Sequence, residues 1–172
     1  ITTVATLSGT SMSAPHIAGA AALVKAANPA LGADEIISAL TLTARNSVTE
    51  SGVATNPHES GAGMADVSLA VKAGLYLDVP ANGFNAPRAN PYTGGAQNIN
   101  LPTLGHGACF RSCVLTRTFK QMPGSPANAN YSVQVSVPAG TTVTPSVTSF
   151  NSSAAGQAIN FTVNVDTPQA AG

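Results

Sequence analysis

Ser8-Gly9-Thr10-Ser11-Met12-Ser13-Ala14-Pro15-His16 is the stretch of this sequence whose residue types and spacing could do chemistry. A β-like run over residues 1–6 leads into a tight glycine turn, then a serine, then an apolar helical pattern. A hydroxyl placed there gains in three ways. The turn presents it at a sheet edge, the helix start offers unpaired N–H groups, and the aligned peptides add partial positive charge. Such donors stabilise an oxyanion in acyl transfer, at ~3–4 kcal/mol for a single donor. On spacing alone, the competing reading is that Ser11 or Ser13 merely caps a helix.

The elements that must position this hydroxyl are legible on either side. Helical periodicity over residues 13–27 follows the serine, with Pro15 acceptable in a first turn. That helix is apolar on nearly every side, which predicts burial on all faces. Asn28-Pro29 stops it. A second helix is expected over residues 33–43, with Ile36, Ile37 and Leu40 as its apolar stripe and Asp34 and Glu35 at its positive end. A short helix over residues 66–73 follows the Gly61-Ala62-Gly63 turn. Residues 79–95, rich in Pro, Gly and Asn, mark a linker or long loop. Beyond it, Tyr131, Val133, Val135 and Val137 alternate with polar residues, as do Ile159, Phe161, Val163 and Val165. Residues 115–119 and 141–147 are shorter strand candidates. Period-two alternation with Gly, Pro and Asn punctuation predicts a small antiparallel sandwich.

Composition bounds the function. The chain has 172 residues, seven Lys+Arg and seven Asp+Glu, and only 8% charged residues. Zero net charge argues against a phosphate-driven nucleic-acid binder. The longest apolar run, residues 17–24, is far short of the ~20 residues that span a bilayer. No signal-peptide pattern opens the chain, and its first residues read as mid-strand, so the sequence is expected to begin inside a larger protein. Ser, Thr, Asn and Gln must supply the polar surface, a composition loosely associated with secreted proteins.

Cys109 and Cys113 are too few for a zinc site, with His106 the one histidine nearby. A bridge between them requires residues 110–112 to turn or bulge, because bridged Cα atoms lie within ~7 Å. Closing so small a loop contributes roughly 2 kcal/mol in the entropic model and implies an oxidising compartment. Two unpaired thiols remain the alternative, while the three intervening residues exclude a redox C-x-x-C motif. No carboxylate cluster points to calcium and no metal site or cofactor is evident; any structural calcium of a complete enzyme would sit elsewhere in it. Asn130, Asn151 and Asn160 open glycosylation-type triplets, which arise by chance in so Asn-, Ser- and Thr-rich a chain.

Residues 9–19, Gly9-Thr10-Ser11-Met12-Ser13-Ala14-Pro15-His16-Ile17-Ala18-Gly19, resemble the nucleophile motif of subtilisin-like serine proteases. The resemblance implies that Ser11 is the nucleophile attacking a scissile carbonyl, supported by Gly9 and Thr10, with the Ser11 N–H as one oxyanion donor. Asn28-Pro29, Asp34-Glu35-Ile36 and Gly61-Ala62-Gly63-Met64-Ala65-Asp66 follow the family's order near the end of its catalytic domain. Gly32 departs from it, standing where a Ser or Thr cap is usual. Asn100-Leu101-Pro102-Thr103-Leu104, Leu115-Thr116-Arg117-Thr118, Asn130-Tyr131-Ser132-Val133, Pro138-Ala139-Gly140 and Ile159-Asn160-Phe161-Thr162-Val163 resemble the fibronectin-III-like domain that follows in some larger members.

The implied fold is therefore an α/β fragment, the C-terminal part of a subtilisin-like parallel-sheet domain over residues 1–78, plus a linker over 79–95. An all-β fibronectin-III-like antiparallel sandwich over residues 96–168 completes it. The implied function is the nucleophile-bearing C-terminal portion of a secreted serine endopeptidase acting on peptide or protein substrates. A serine hydroxyl needs a base. In this family the acid and histidine precede the serine, and only ten residues do so here. The chain alone is expected to be inactive. Its expected partner is the upstream part of the catalytic domain, carried on the same protein or as a separate cleaved chain, with neither nucleic acid nor membrane involved. His16 is read as a packed structural residue, His58 and His106 as loop residues. The alternative function is a non-catalytic β-sandwich binding or spacer module with a degenerate protease remnant.

Overall fold

The computed structural model describes residues 7–80, 83–85, 96–106, 109–137 and 139–165. The expected strand over residues 1–6, most of the expected linker and residues 166–168 of the expected sandwich lie outside them. Two compact units divide between Ala73 and Gly74.

In the first unit, helix α1 spans Thr10–Ala27. It starts three residues earlier than the periodicity predicts, because the Gly9 carbonyl already accepts the N–H groups of Met12 and Ser13 at 3.0 and 3.1 Å. Gly9 has φ 143°, a conformation that favours a residue without Cβ. Pro15 consequently lies in the second turn, where its missing N–H takes the intrahelical donor from the Ser11 carbonyl. Burial on all faces is not realised: Val24 and Ala20 are buried, whereas Ile17 and Leu23 are 48% and 60% exposed. The reason is geometric. Within the unit α1 packs on α2, Ala33–Leu42, and on a four-residue helix near the unit's end, and these cannot encircle an 18-residue helix.

Helix α2 is capped at Gly32, whose N–H donates to Glu35 Oε2 at 2.9 Å. Ser38, Ala39 and Leu40 are its buried residues. Ile37, expected in the apolar stripe, is 59% exposed, because the inward face centres on residues 39 and 40 instead. A hairpin follows, β1 (Thr49–Glu50) with β2 (Val53–Ala54). Its two turn residues, Ser51 and Gly52, both have positive φ, as a primed hairpin turn demands. Helix α3, Pro57–Ser60, is closed by a reciprocal cap. Asn56 Oδ1 accepts from His58 and Glu59, and Glu59 accepts from the Asn56 N–H. His58, expected in a loop, thus sits on a short helix. Helix α4, Val67–Ala70, is shorter than the expected 66–73 and has Asp66 as its cap.

The second unit starts with β3, Leu75–Tyr76, residues the sequence reading assigns to the first segment. Strands β4 (Ser112–Gln121), β5 (Asn130–Ser132), β6 (Thr141–Pro145), β7 (Ser149–Asn151) and β8 (Gln157–Val165) follow. They form a four-stranded sheet in the order β3-β4-β8-β6 and a two-stranded sheet β5-β7, with every pairing antiparallel. Within β8 Ile159, Phe161 and Val163 face inward, as alternation requires. Ile159 and Phe161 meet Leu115 in the core, and Val133, Val143 and Phe150 pack against them. The alternation over residues 131–137 persists only in part: the ladder ends at Ser132, and Val135 and Val137 are 41% and 40% exposed.

Before β4, a 3₁₀ turn at Ala96–Asn98 runs into a segment laid along that strand. Asn98 Oδ1 accepts the Thr116 N–H at 3.1 Å. Asn100 Oδ1 accepts the Thr118 N–H at 2.7 Å, and its amide donates to the Thr118 carbonyl at 2.9 Å. Arg117 is 3% exposed and donates to the carbonyls of Leu101, Gln97, Thr116 and Thr103 at 2.6–2.8 Å. Burial lowers its pKa below the ordinary guanidinium range.

Cys109 and Cys113 form a disulfide with a Cα–Cα distance of 5.5 Å, so the bridged alternative holds. The turn it requires is present: Arg111 has φ 65°, and the Ser112 N–H donates to the Phe110 carbonyl at 2.8 Å.

Candidate active site

Ser11 is the second residue of α1 and is exposed. The Gly9 carbonyl accepts from Met12 and Ser13, so the N–H groups of Thr10 and Ser11 have no intrahelical acceptor. The first turn holds no acidic residue, leaving its partial positive charge unneutralised from within the helix. Ser13 turns its hydroxyl back on the cap, donating to the Gly9 carbonyl at 3.4 Å. Ser11 Oγ makes no hydrogen bond among the described residues. An exposed hydroxyl without a hydrogen bond and an N–H without an intrahelical acceptor therefore belong to one residue.

His16 occupies the next turn. It is exposed in this chain rather than packed, and its Nδ1 lies 2.6 Å from the Met12 carbonyl, which fixes the ring to its own helix. No hydrogen bond joins Ser11 to a histidine or carboxylate among the described residues, and a serine hydroxyl is a weak nucleophile without a base. A groove of about 590 Å³ runs beside the helix start, lined by Leu7, Gly9, Met12, His16, Ile17 and Met64 among others. Ser11 does not line it.

Sequence comparison reaches the same residues. Residues 2–63 match the Subtilase family. That subtilase segment includes Ser11, Gly9, Thr10 and His16. Over longer spans, the chain is 30% identical to a subtilisin-like protease of Arabidopsis thaliana, covering 95% of this chain and 25% of that protein. A second subtilisin-like protease of the same plant is 32% identical over 91% of this chain and 23% of its own length. A CO(2)-response secreted protease, again from Arabidopsis thaliana, is 35% identical over 42% of this chain and 10% of its own length. The chain thus spans about a tenth to a quarter of the length of the curated relatives it matches.

Two features near the end of the first unit depend on partners that the sequence does not show. Arg45 and Met64 form an antiparallel bridge, with N–H to carbonyl distances of 2.8 and 2.9 Å. Gly63, at φ 110°, lies so close to the Arg45 carbonyl that a Cβ would overlap it. The Gly61-Ala62-Gly63 run was visible as a turn, but its partner, 18 residues upstream, was not.

The second feature is Asp66. Its carboxylate accepts from Ser68 Oγ at 2.6 Å, Arg45 Nε at 2.6 Å and the Leu69 N–H at 3.2 Å. The Ser68 hydroxyl first, then the Arg45 guanidinium, hold its pKa down to about 2 from 3.8. A depressed carboxylate adds stability that is complete above its unfolded value and is lost as pH falls through its folded value. The melting temperature is therefore expected to drop between pH 4 and pH 2 through this group. Asp66→Asn should flatten that part of the profile in a calorimetric pH series; an unchanged profile would show that the network contributes nothing.

Among the described residues, no three His, Cys, Asp or Glu side chains gather as a metal-ligand group. None of the described helices is long and apolar enough to cross a membrane.

Proposed function

We propose that this chain is the nucleophile-bearing C-terminal portion of a secreted subtilisin-like serine endopeptidase. Ser11 would attack the scissile carbonyl of a peptide or protein substrate, and its own N–H would be one donor to the resulting oxyanion. The observation that carries this reading is Ser11 itself, an exposed, uncommitted hydroxyl in the first turn of α1 within the subtilase segment. Gly9 and Thr10 support it by shaping the turn. The acid, the base histidine and a second oxyanion donor would come from an upstream part of the catalytic domain. The same upstream part would cover α1, whose Ile17 and Leu23 stand largely in water here. Burying each such side chain is worth ~1.5–3 kcal/mol.

The β-rich portion over residues 96–168 is read as a fibronectin-III-like accessory domain. Five antiparallel strands among its described residues, β4 to β8, in two sheets around one apolar core support this. The disulfide supports an extracellular location, because such bonds persist in oxidising compartments. One relative is itself named a secreted protease.

An organophosphorus serine-hydrolase probe tests the reading. Labelling at Ser11 is expected in the full-length protein and not in residues 1–172 alone. Absence of labelling in the full-length protein would favour a non-catalytic module. Rapid labelling of the short chain would refute the dependence on upstream residues.

A further inference from the structure

Asn160 lies within β8, between β4 and β6, and is exposed on the outer face of the four-stranded sheet. Its Oδ1 accepts the Thr116 hydroxyl of the facing strand at 2.9 Å, and its backbone N–H donates to Ser146 Oγ at 3.0 Å. Its Nδ2 makes no hydrogen bond among the described residues. The carboxamide is held by its oxygen, and the nitrogen is left to water.

Asn160-Phe161-Thr162 is one of the glycosylation-type triplets of the chain. Chance accounts for such triplets in a sequence, but the fold does not treat them alike. Asn130 Nδ2, the atom that would carry a sugar, already donates to Asn151 Oδ1 at 2.9 Å across the β5-β7 pair. Residues directly opposite in an antiparallel pair have Cβ atoms about 5 Å apart, so a sugar on either asparagine crowds the other. Asn160 has no carboxamide facing it. The surrounding surface gives a second reason. By the register of β4 and β6 on β8, Val114, Thr116, Thr142, Thr144, Thr162 and Asn164 share its face. None of them is charged, and Val114 is 48% exposed. Uncharged sheet faces stack on one another, as the two layers of a sandwich do. One bulky, hydrated group on the central strand blocks such stacking.

We infer that Asn160 carries an N-linked oligosaccharide, which keeps the outer face of this sheet from self-association. The step is a glycosyl transfer from an oligosaccharide on a lipid pyrophosphate. Asn160 Nδ2 forms a bond to the anomeric carbon, the bond from that carbon to the pyrophosphate oxygen breaks, and the pyrophosphate leaves with the electron pair. One Nδ2 proton is released. Transfer precedes the pairing of β8, since a strand bonded on both sides does not enter an enzyme's cleft. The resulting secondary amide keeps its carbonyl, so the bond from Thr116 survives. The inference rests on the extracellular reading, because such transfer takes place in the secretory route, where disulfides like Cys109–Cys113 also form. It does not depend on the activity of Ser11.

The test uses full-length protein collected from the medium of the cells that produce it. Peptide N-glycosidase in heavy-oxygen water converts each glycosylated asparagine to labelled aspartate, and mass spectrometry should find the label at residue 160. Asn160→Gln should remove one glycan from the gel mobility, whereas Thr162→Ser, which preserves the triplet, should retain it. Secreted protein with the disulfide intact and Asn160 unlabelled, or with label at Asn130 or Asn151 alone, overturns the inference and leaves the extracellular reading in place. Protein kept inside the cell with reduced cysteines refutes that reading and the glycan with it. Sedimentation reads the shielding: enzymatic deglycosylation and Asn160→Gln should each shift the protein from monomer to larger species. Deglycosylated protein that stays monomeric refutes the shielding.

Discussion

Replacing Ser11 with alanine in the full-length protein is expected to lower kcat by about 10⁶, while KM stays near its starting value. On the proposed reading the variant loses the oxygen that would form the acyl-enzyme but keeps the backbone N–H of residue 11 and the helix start. A residual acceleration of roughly 10³–10⁴ over water from binding and oxyanion donors would survive. Folding should be untouched, because the side chain is exposed and takes part in no hydrogen bond among the described residues. Ser13→Ala is the matched control. That hydroxyl already donates to the Gly9 carbonyl at 3.4 Å, a long bond at an exposed cap, so its loss should alter kcat only slightly. Steady-state kinetics on a peptide substrate decides the matter: substantial turnover by Ser11→Ala, or equal losses at both serines, would remove Ser11 from the nucleophile's role.

Arg117→Ala is expected to be the most destabilising single change in the β-rich unit, by about 3–5 kcal/mol. Four carbonyls on residues 97, 101, 103 and 116 converge on one guanidinium, which is 3% exposed. Truncation leaves them facing a void, and charge-assisted hydrogen bonds to buried groups are worth ~1.5–3 kcal/mol each. In a unit of this size the loss corresponds to a melting temperature lower by more than ~10 °C. Lysine would keep the charge but offers no planar fork, so Arg117→Lys should recover only part of the loss. Calorimetric melting of the three proteins tests this, and an Arg117→Ala protein that melts with the parent would mean that water replaces the guanidinium at little cost.

How much of this was legible beforehand depends on the range of the interactions. Ser11 and its glycine turn could be read because they are contiguous. The alternation in β8 was correct because period two is local and its inward face meets a real core. Val135 and Val137 have the same alternation yet lie beyond the ladder, since pairing depends on what another strand offers. Pro15 read as a first-turn residue puts the helix start three residues too late, whereas the Gly9 carbonyl sets the boundary. The disulfide could be posed but not decided from spacing, because it depends on Arg111 accepting a left-handed turn. Arg117 and Asp66 are legible only as single residues; the partners that lie 14 to 21 positions away are not.

Asn98 and Asn100 have a consequence for colloidal behaviour. A strand flank with unsatisfied donors is a template on which a second molecule can add its own backbone. Most proteins blunt such flanks with lysine or with bends, and a chain with so few charges has little lysine to spend. Here two carboxamides occupy Thr116 and Thr118 as a neighbouring strand would, so that side of the sheet is closed to self-association without electrostatic repulsion.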